Sequence, residues 1–119
     1  MKIIAMSDTH CIHDKLIVPE CDIVLHAGDA LSYGDHTEFK KFIKWFDSLP
    51  ANDLIYTPGN HDWHTYRNLE LAKKECIDRG IKLLNDEEIL VNGLRIYGTA
   101  WTTEFCGWAW MREDHEAES

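Results

Sequence analysis

Basic charge is scarce in this chain of 119 residues: 12 Lys and Arg stand against 21 Asp and Glu, for a formal net charge of −9. A nucleic-acid backbone is therefore a poor partner for the bare chain, which has no cationic excess to displace counterions. Bound divalent cations would reverse that sign locally. Paired cysteines are also missing. Cys11, Cys21, Cys76 and Cys106 are scattered, with no Cys-x-x-Cys, which argues against thiolate zinc and a disulfide framework and for plain thiols in a reducing cytosol. No apolar run approaches the roughly 20 residues of a membrane span, and polar residues interrupt "MKIIAMSDTH" at Ser7, too early for a signal peptide. Repeats, low-complexity stretches and linkers are absent. With 45% apolar residues, the expectation is one globular domain over 1–119, in the cytoplasm and off the membrane.

What is present is a pattern of short β-branched runs. "KIIAM" (2–6), "DIVLH" (22–26) and "DLIYT" (53–57) predict strands buried on both faces, as in a parallel sheet. Between the second and third, Phe39, Phe42, Ile43, Phe46 and Leu49 fall at helical spacing, with Lys40, Lys41 and Lys44 opposite. The stretch "HTYRNLELAKKECIDRG" (64–80) predicts another helix, with Leu69, Ala72, Cys76 and Leu71 inward and Gly80 as its terminator. "EEILVNGLRIYG" sets two alternating runs around Asn92-Gly93, a strong hairpin signal. The class is α/β.

Each predicted parallel strand ends in a polar cluster: "SDTH", "HAGD" and "PGNHD". Ligand sites in open α/β sheets assemble at the carboxyl ends of strands, because rigid strands deliver loop residues to one edge. The inventory there is Asp8, His10, Asp29, Asn60 and His61. Carboxylate, imidazole and amide donors suit Mn, Fe, Zn or Mg, and no thiolate selects a softer ion. Any single Asp after a strand is more often a cap or an Asx-turn than a ligand, and Pro-Gly-Asn alone is usually a turn. Three such ends in series outweigh that plain structural reading.

The blocks Asp8-x-His10, Gly28-Asp29 and Gly59-Asn60-His61-Asp62, in this order, resemble the first three signature blocks of the calcineurin-like metallophosphoesterase superfamily. "LRIYGTAWTTEFCGWAW" is similar to the stretch after the third block in UPF0046-like metallophosphoesterase-domain proteins. The resemblance implies a four-layer αββα sandwich with two divalent metals at the strand ends. It further implies that Asp8 and His10 hold one metal, Asp29 bridges both and Asn60 holds the second. His61 would contact phosphate and protonate the leaving oxygen, with Asp62 orienting or tuning it. Phosphoester hydrolysis, of a monoester or a diester, would use water activated by the metals, one or two per site.

One family block, Gly-His-x-His, does not occur in the sequence. The expectation is therefore a truncated version of the sandwich, with the second metal held by Asp29 and Asn60 alone. His13, His26, His36 and His64 are candidate substitutes, His26 more naturally a buried, hydrogen-bonded residue. A half-sandwich leaves an apolar face or open edge, so a homo-oligomer or a second polypeptide is expected to cover it, with a tryptophan-rich tail adding to that expectation. The substrate expected is a small phosphate ester. The competing reading is a catalytically inactive remnant that binds metal or a partner.

Overall fold

The computed structural model describes residues 1–11, 15–103 and 108–112. In chain order the elements are β1 (Ile3–Met6), β2 (Cys21–His26), α1 (His36–Phe46), β3 (Ala51–Tyr56), α2 (Trp63–Arg67), α3 (Leu69–Asp78), β4 (Ile81–Leu83), β5 (Glu87–Val91), β6 (Leu94–Gly98), β7 (Thr102–Thr103) and β8 (Met111–Arg112). Strands β1 to β4 form one parallel sheet in sequence order. Ile4, Val24, Leu54 and Ile81 lie in one row across it. The three expected strands are all present, with ends shifted by a residue or two. The fourth was not foreseen: three residues after a helix are too few to show a period.

Helices cover one face. Asp35 caps α1, its side chain accepting from the Glu38 N–H at 2.8 Å. Phe39, Phe42, Ile43 and Phe46 are buried against Val24, Leu54 and Tyr56, while the three lysines stay exposed. The single helix expected over 64–80 is two, broken at Asn68 (φ −136°, ψ 55°). The break costs no backbone pairing, since the Asn68 N–H closes α2 on His64 O and the Asn68 carbonyl opens α3 through the Ala72 N–H, both at 2.9 Å. Ala72 and Cys76 point inward as expected; Leu71 is 46% exposed and does not.

The hairpin β5–β6 covers the other face. Asn92 and Gly93 both take positive φ (49° and 81°), as a type I′ turn requires. Val91, Ile89 and Ile96 meet Ile23, Ile55 and Leu84 there. Burial on both faces holds for β2 but not for β1, an edge strand in which Ile3 is 42% exposed. Helical layer, parallel sheet and antiparallel hairpin make the α/β arrangement expected of a shortened sandwich.

Trp110 is only 2% exposed and joins Ala100 and Ala109 in a small third core, with Trp63, Leu69 and Trp101 packed around it. Its indole N–H donates to Thr65 Oγ1 at 3.0 Å. This tryptophan is local core rather than an association surface. Among the described residues, no helix is long and apolar enough to cross a membrane.

Candidate metal centre

Because β1, β2 and β3 run parallel and in register, their carboxyl ends leave the sheet side by side. The first two loops then pair backbone to backbone. Asp8 N–H donates to Gly28 O at 2.9 Å, His10 N–H to Asp29 O at 3.0 Å, and Cys11 N–H to Ala30 O at 2.8 Å. Asp8, His10, Cys11 and Asp29 all sit at φ between 43° and 67°, a region unfavourable for side chains with a Cβ. These bonds hold the strain, which turns the polar side chains toward one edge. The second and third loops touch at Gly28 and Gly59. A Cβ on Gly28 would lie 2.7 Å from the Gly59 Cα, and a Cβ on Gly59 would strike the Asp29 side chain and N–H. Glycine at both positions lets the loops close.

Asp62 locks that closure. Its side chain is fully buried, and its two oxygens accept from the N–H groups of Asp29 (3.1 Å), Ala30 (3.4 Å), Leu31 (3.0 Å) and Gly59 (2.9 Å) and from the Tyr56 hydroxyl (2.6 Å). Burial pushes its carboxyl up to about 6, against the pull of those donors. A single carboxylate thus staples the loop after β2 to the loop after β3. Glu38 does a similar service one turn into α1, with Oε1 accepting from the N–H groups of Ser32, Tyr33 and Gly34.

Within this frame one ligand atom from each of Asp8, His10 and Asp29 lies within 4.8 Å of the other two. His10 Nδ1 is 3.2 Å from Leu31 O, so a proton on Nδ1 leaves the Nε2 lone pair free on the side of Asp8, 3.8 Å away. Hydrogen bonds from Ser7, then from Asp29, hold the Asp8 carboxyl below its ordinary value, whereas burial, chiefly, raises that of Asp29. Two carboxyls so close, with a shared hydrogen bond between them, form a pair that a cation would stabilise. Asn60 is flanked by two residues that contact Asp29: Gly59 abuts it, and the His61 N–H donates to Asp29 Oδ1 at 2.9 Å. Asn60 Oδ1 is buried without a hydrogen-bond partner. Orphaned buried acceptors are rare and signal a missing donor or ion.

The sequence model of calcineurin-like phosphoesterases matches residues 1–112. This chain belongs to the calcineurin-like phosphoesterase family. It is 32% identical over 128 residues to human metallophosphoesterase domain-containing protein 1, covering 90% of this chain and 39% of that protein. A UPF0046 protein of Caenorhabditis elegans is 29% identical over 116 residues, covering 85% of this chain and 41% of the relative. The chain thus spans about two fifths of the length of these curated relatives.

Calcineurin-like phosphoesterases use divalent metal ions, and the residues of this calcineurin-like phosphoesterase chain fit such ions. The donors are oxygen and imidazole nitrogen, the acids face one another, and among the described residues the one buried side-chain acceptor without a partner belongs to Asn60. The His61 ring meets that of His10 edge-on at 5.0 Å and the Trp108 ring at 4.8 Å, with Nδ1 3.4 Å from Ser32 O. The resemblance implied that Asp62 orients or tunes His61; the structure gives its carboxylate other hydrogen-bond partners. Among the described residues its carboxylate bonds backbone amides and Tyr56, not the His61 ring, because burial beneath the loops turns it toward their N–H groups.

The other histidines lie elsewhere. His26 is buried as expected, accepting the Gly28 N–H on Nδ1 (3.2 Å) and hence donating from Nε2 to Thr9 Oγ1 (3.0 Å). His36 and His64 meet on Glu75, away from the Asp8 cluster. His13 lies outside the described residues, as do Cys106 and His115. Sequence reasoning missed Tyr56, Glu38 and Trp108. A tyrosine inside the apolar run "DLIYT" was the available signal, since a buried hydroxyl needs a partner.

Proposed function

We propose that this chain is a divalent-metal-dependent phosphoesterase hydrolysing a small phosphate ester, a monoester or a diester. The observation that carries the reading is the convergence of Asp8, His10 and Asp29 within 4.8 Å, beside an Asn60 amide oxygen that is buried and unpartnered. Asp8, His10 and Asp29 would hold one ion, and Asp29 with Asn60 a second; Mn, Fe, Zn and Mg all suit these donors. When bound, such ions supply an activated water and neutralise phosphoryl oxygens. His61 contacts the phosphate and, in its protonated form, gives the Nε2 proton to the leaving oxygen while Nδ1 stays on Ser32 O. Trp108 shields one side of that ring, and Asp62 positions the loops rather than reacting. The net charge of −9 favours a small substrate over a long polyanion. A second copy or another polypeptide covers the exposed Ile3, Leu90 and Tyr97 on the hairpin side.

A second reading has one observation behind it: among the described residues, the second ion has only Asp29 and Asn60 for ligands. On that reading the chain binds metal without turnover. Metal content and hydrolysis of p-nitrophenyl phosphate and its bis-ester, measured on wild type, Asp29→Asn and His61→Ala, separate the two. The phosphoesterase reading expects metal-dependent hydrolysis that falls about a hundredfold or more in His61→Ala and metal loss in Asp29→Asn. Metal bound without hydrolysis supports the second reading. No ion retained by wild type overturns both.

A further inference from the structure

A second group of ligand-bearing side chains lies on the helical face. His36 opens α1, His64 sits in α2 and Glu75 in α3, so three separate elements deliver them. His36 Nε2 is 2.7 Å from Glu75 Oε2, and His64 Nε2 is 3.0 Å from Glu75 Oε1. The two imidazoles stack nearly parallel, at 4.2 Å and 15°. Parallel stacking is what puts both Nε2 atoms on one side, each opposite one oxygen of the same carboxylate. One ligand atom from each residue lies within 4.8 Å of the others.

We propose that His36, His64 and Glu75 form a metal site of their own, separate from the Asp8–His10–Asp29 centre and suited to zinc(II). Two imidazoles and a carboxylate are a ligand set that zinc takes with a fourth position left for water. Tetrahedral bonds of about 2.0–2.1 Å set neighbouring ligand atoms about 3.3 Å apart, so the present 2.7 and 3.0 Å separations need only a few tenths of an ångström of side-chain movement. Burial is graded in the way a three-ligand site with one open position needs: the His64 side chain is 3% exposed, Glu75 18% and His36 46%. Binding asks each imidazole to carry its proton on Nδ1, which frees both Nε2 lone pairs. The ion then takes the place of the two Nε2 hydrogen bonds and ties α1, α2 and α3 together. The tie reaches the first site through the backbone, because the His64 N–H donates to Gly34 O at 2.6 Å, and Gly34 is held by Glu38.

Zinc binding to the full chain carrying Asp8→Asn and Asp29→Asn tests this apart from the proposed function, since that background lacks the first centre's acids. Competition with a chromogenic chelator should give one zinc equivalent and a zinc-dependent rise in melting temperature. Adding His36→Ala, an exposed position whose loss leaves the core intact, should weaken binding at least tenfold and abolish the rise. Glu75→Gln should do the same. If the double-Asn background does not fold, the count is made on the wild-type chain, where His36→Ala should remove one zinc equivalent and leave a manganese titration unchanged. No zinc bound in the parent, or the same affinity in both variants, overturns the proposal and leaves the cluster a hydrogen-bonded brace.

Discussion

The Tyr56 hydroxyl donates a 2.6 Å hydrogen bond to Asp62 Oδ2, and both side chains are fully buried. This joins the last residue of β3 to the carboxylate that staples two site loops. Hydrogen bonds to a buried charged group contribute about 1.5–3 kcal/mol. Tyr56→Phe, which keeps the ring among Phe39, Phe42 and His26, should lower unfolding free energy in urea by about that much. A loss under 0.5 kcal/mol, on the order of a surface change, would mean the staple holds without it.

Gly59→Ala should damage the site more than the fold. Its Cβ would strike the Asp29 side chain and N–H, so the loops must part. Gly93→Ala is the comparison: its φ of 81° strains any Cβ, but nothing lies within 4 Å. Both variants should lose about 1–2 kcal/mol or more, read by thermal melting. Only Gly59→Ala should lower manganese affinity tenfold or more, read by calorimetry. Equal metal affinity in the two would contradict the close packing of loops.

Burial pushes the Cys76 thiol from 9.0 up to about 12. The folded chain therefore keeps a proton that the unfolded chain loses between those values, and the sign follows. Stability from this group is complete below pH 9 and is lost as pH rises toward 12, by up to about 1.4 kcal/mol per pH unit. Cys76→Ala should flatten the alkaline fall in urea midpoints between pH 9 and 10.5, though its cavity lowers stability throughout. In the native state at pH 8, iodoacetamide should label Cys11, which is half-buried, well before Cys76.

Glu38→Ala should unlatch the loop between β2 and α1, since Oε1 gathers three N–H groups. Hydrogen exchange at Ser32 and Gly34 should quicken at least tenfold, with little change at Val24 in the sheet. Uniform quickening would point to global destabilisation instead.

The strand ends were legible because their donors sit within a few residues of each β-branched run, so Asp8, His10, Asp29 and Asn60 could be picked out from local order alone. Asp62 could be found but not understood: its hydrogen-bond partners Asp29, Ala30 and Leu31 lie more than 30 residues back. Separations of 39 residues between His36 and Glu75 and 11 between His64 and Glu75 likewise hid that cluster. Helix periodicity located α1 well, since four large apolar residues share one face. It failed at Asn68, where the spacing of Leu69, Ala72 and Cys76 carries on as if the helix began earlier. The strand β4 has three residues, too short for any period to register.

Anomalous scattering from crystals grown with manganese would show whether the three strand ends together bind an ion. A peak bonded to Asp8, His10 Nε2 and Asp29 is expected, with Asn60 Oδ1 at the same cluster and facing an ion. Asp8 and Asp29 bonded only to water and backbone amides, with no peak between them, would contradict that expectation.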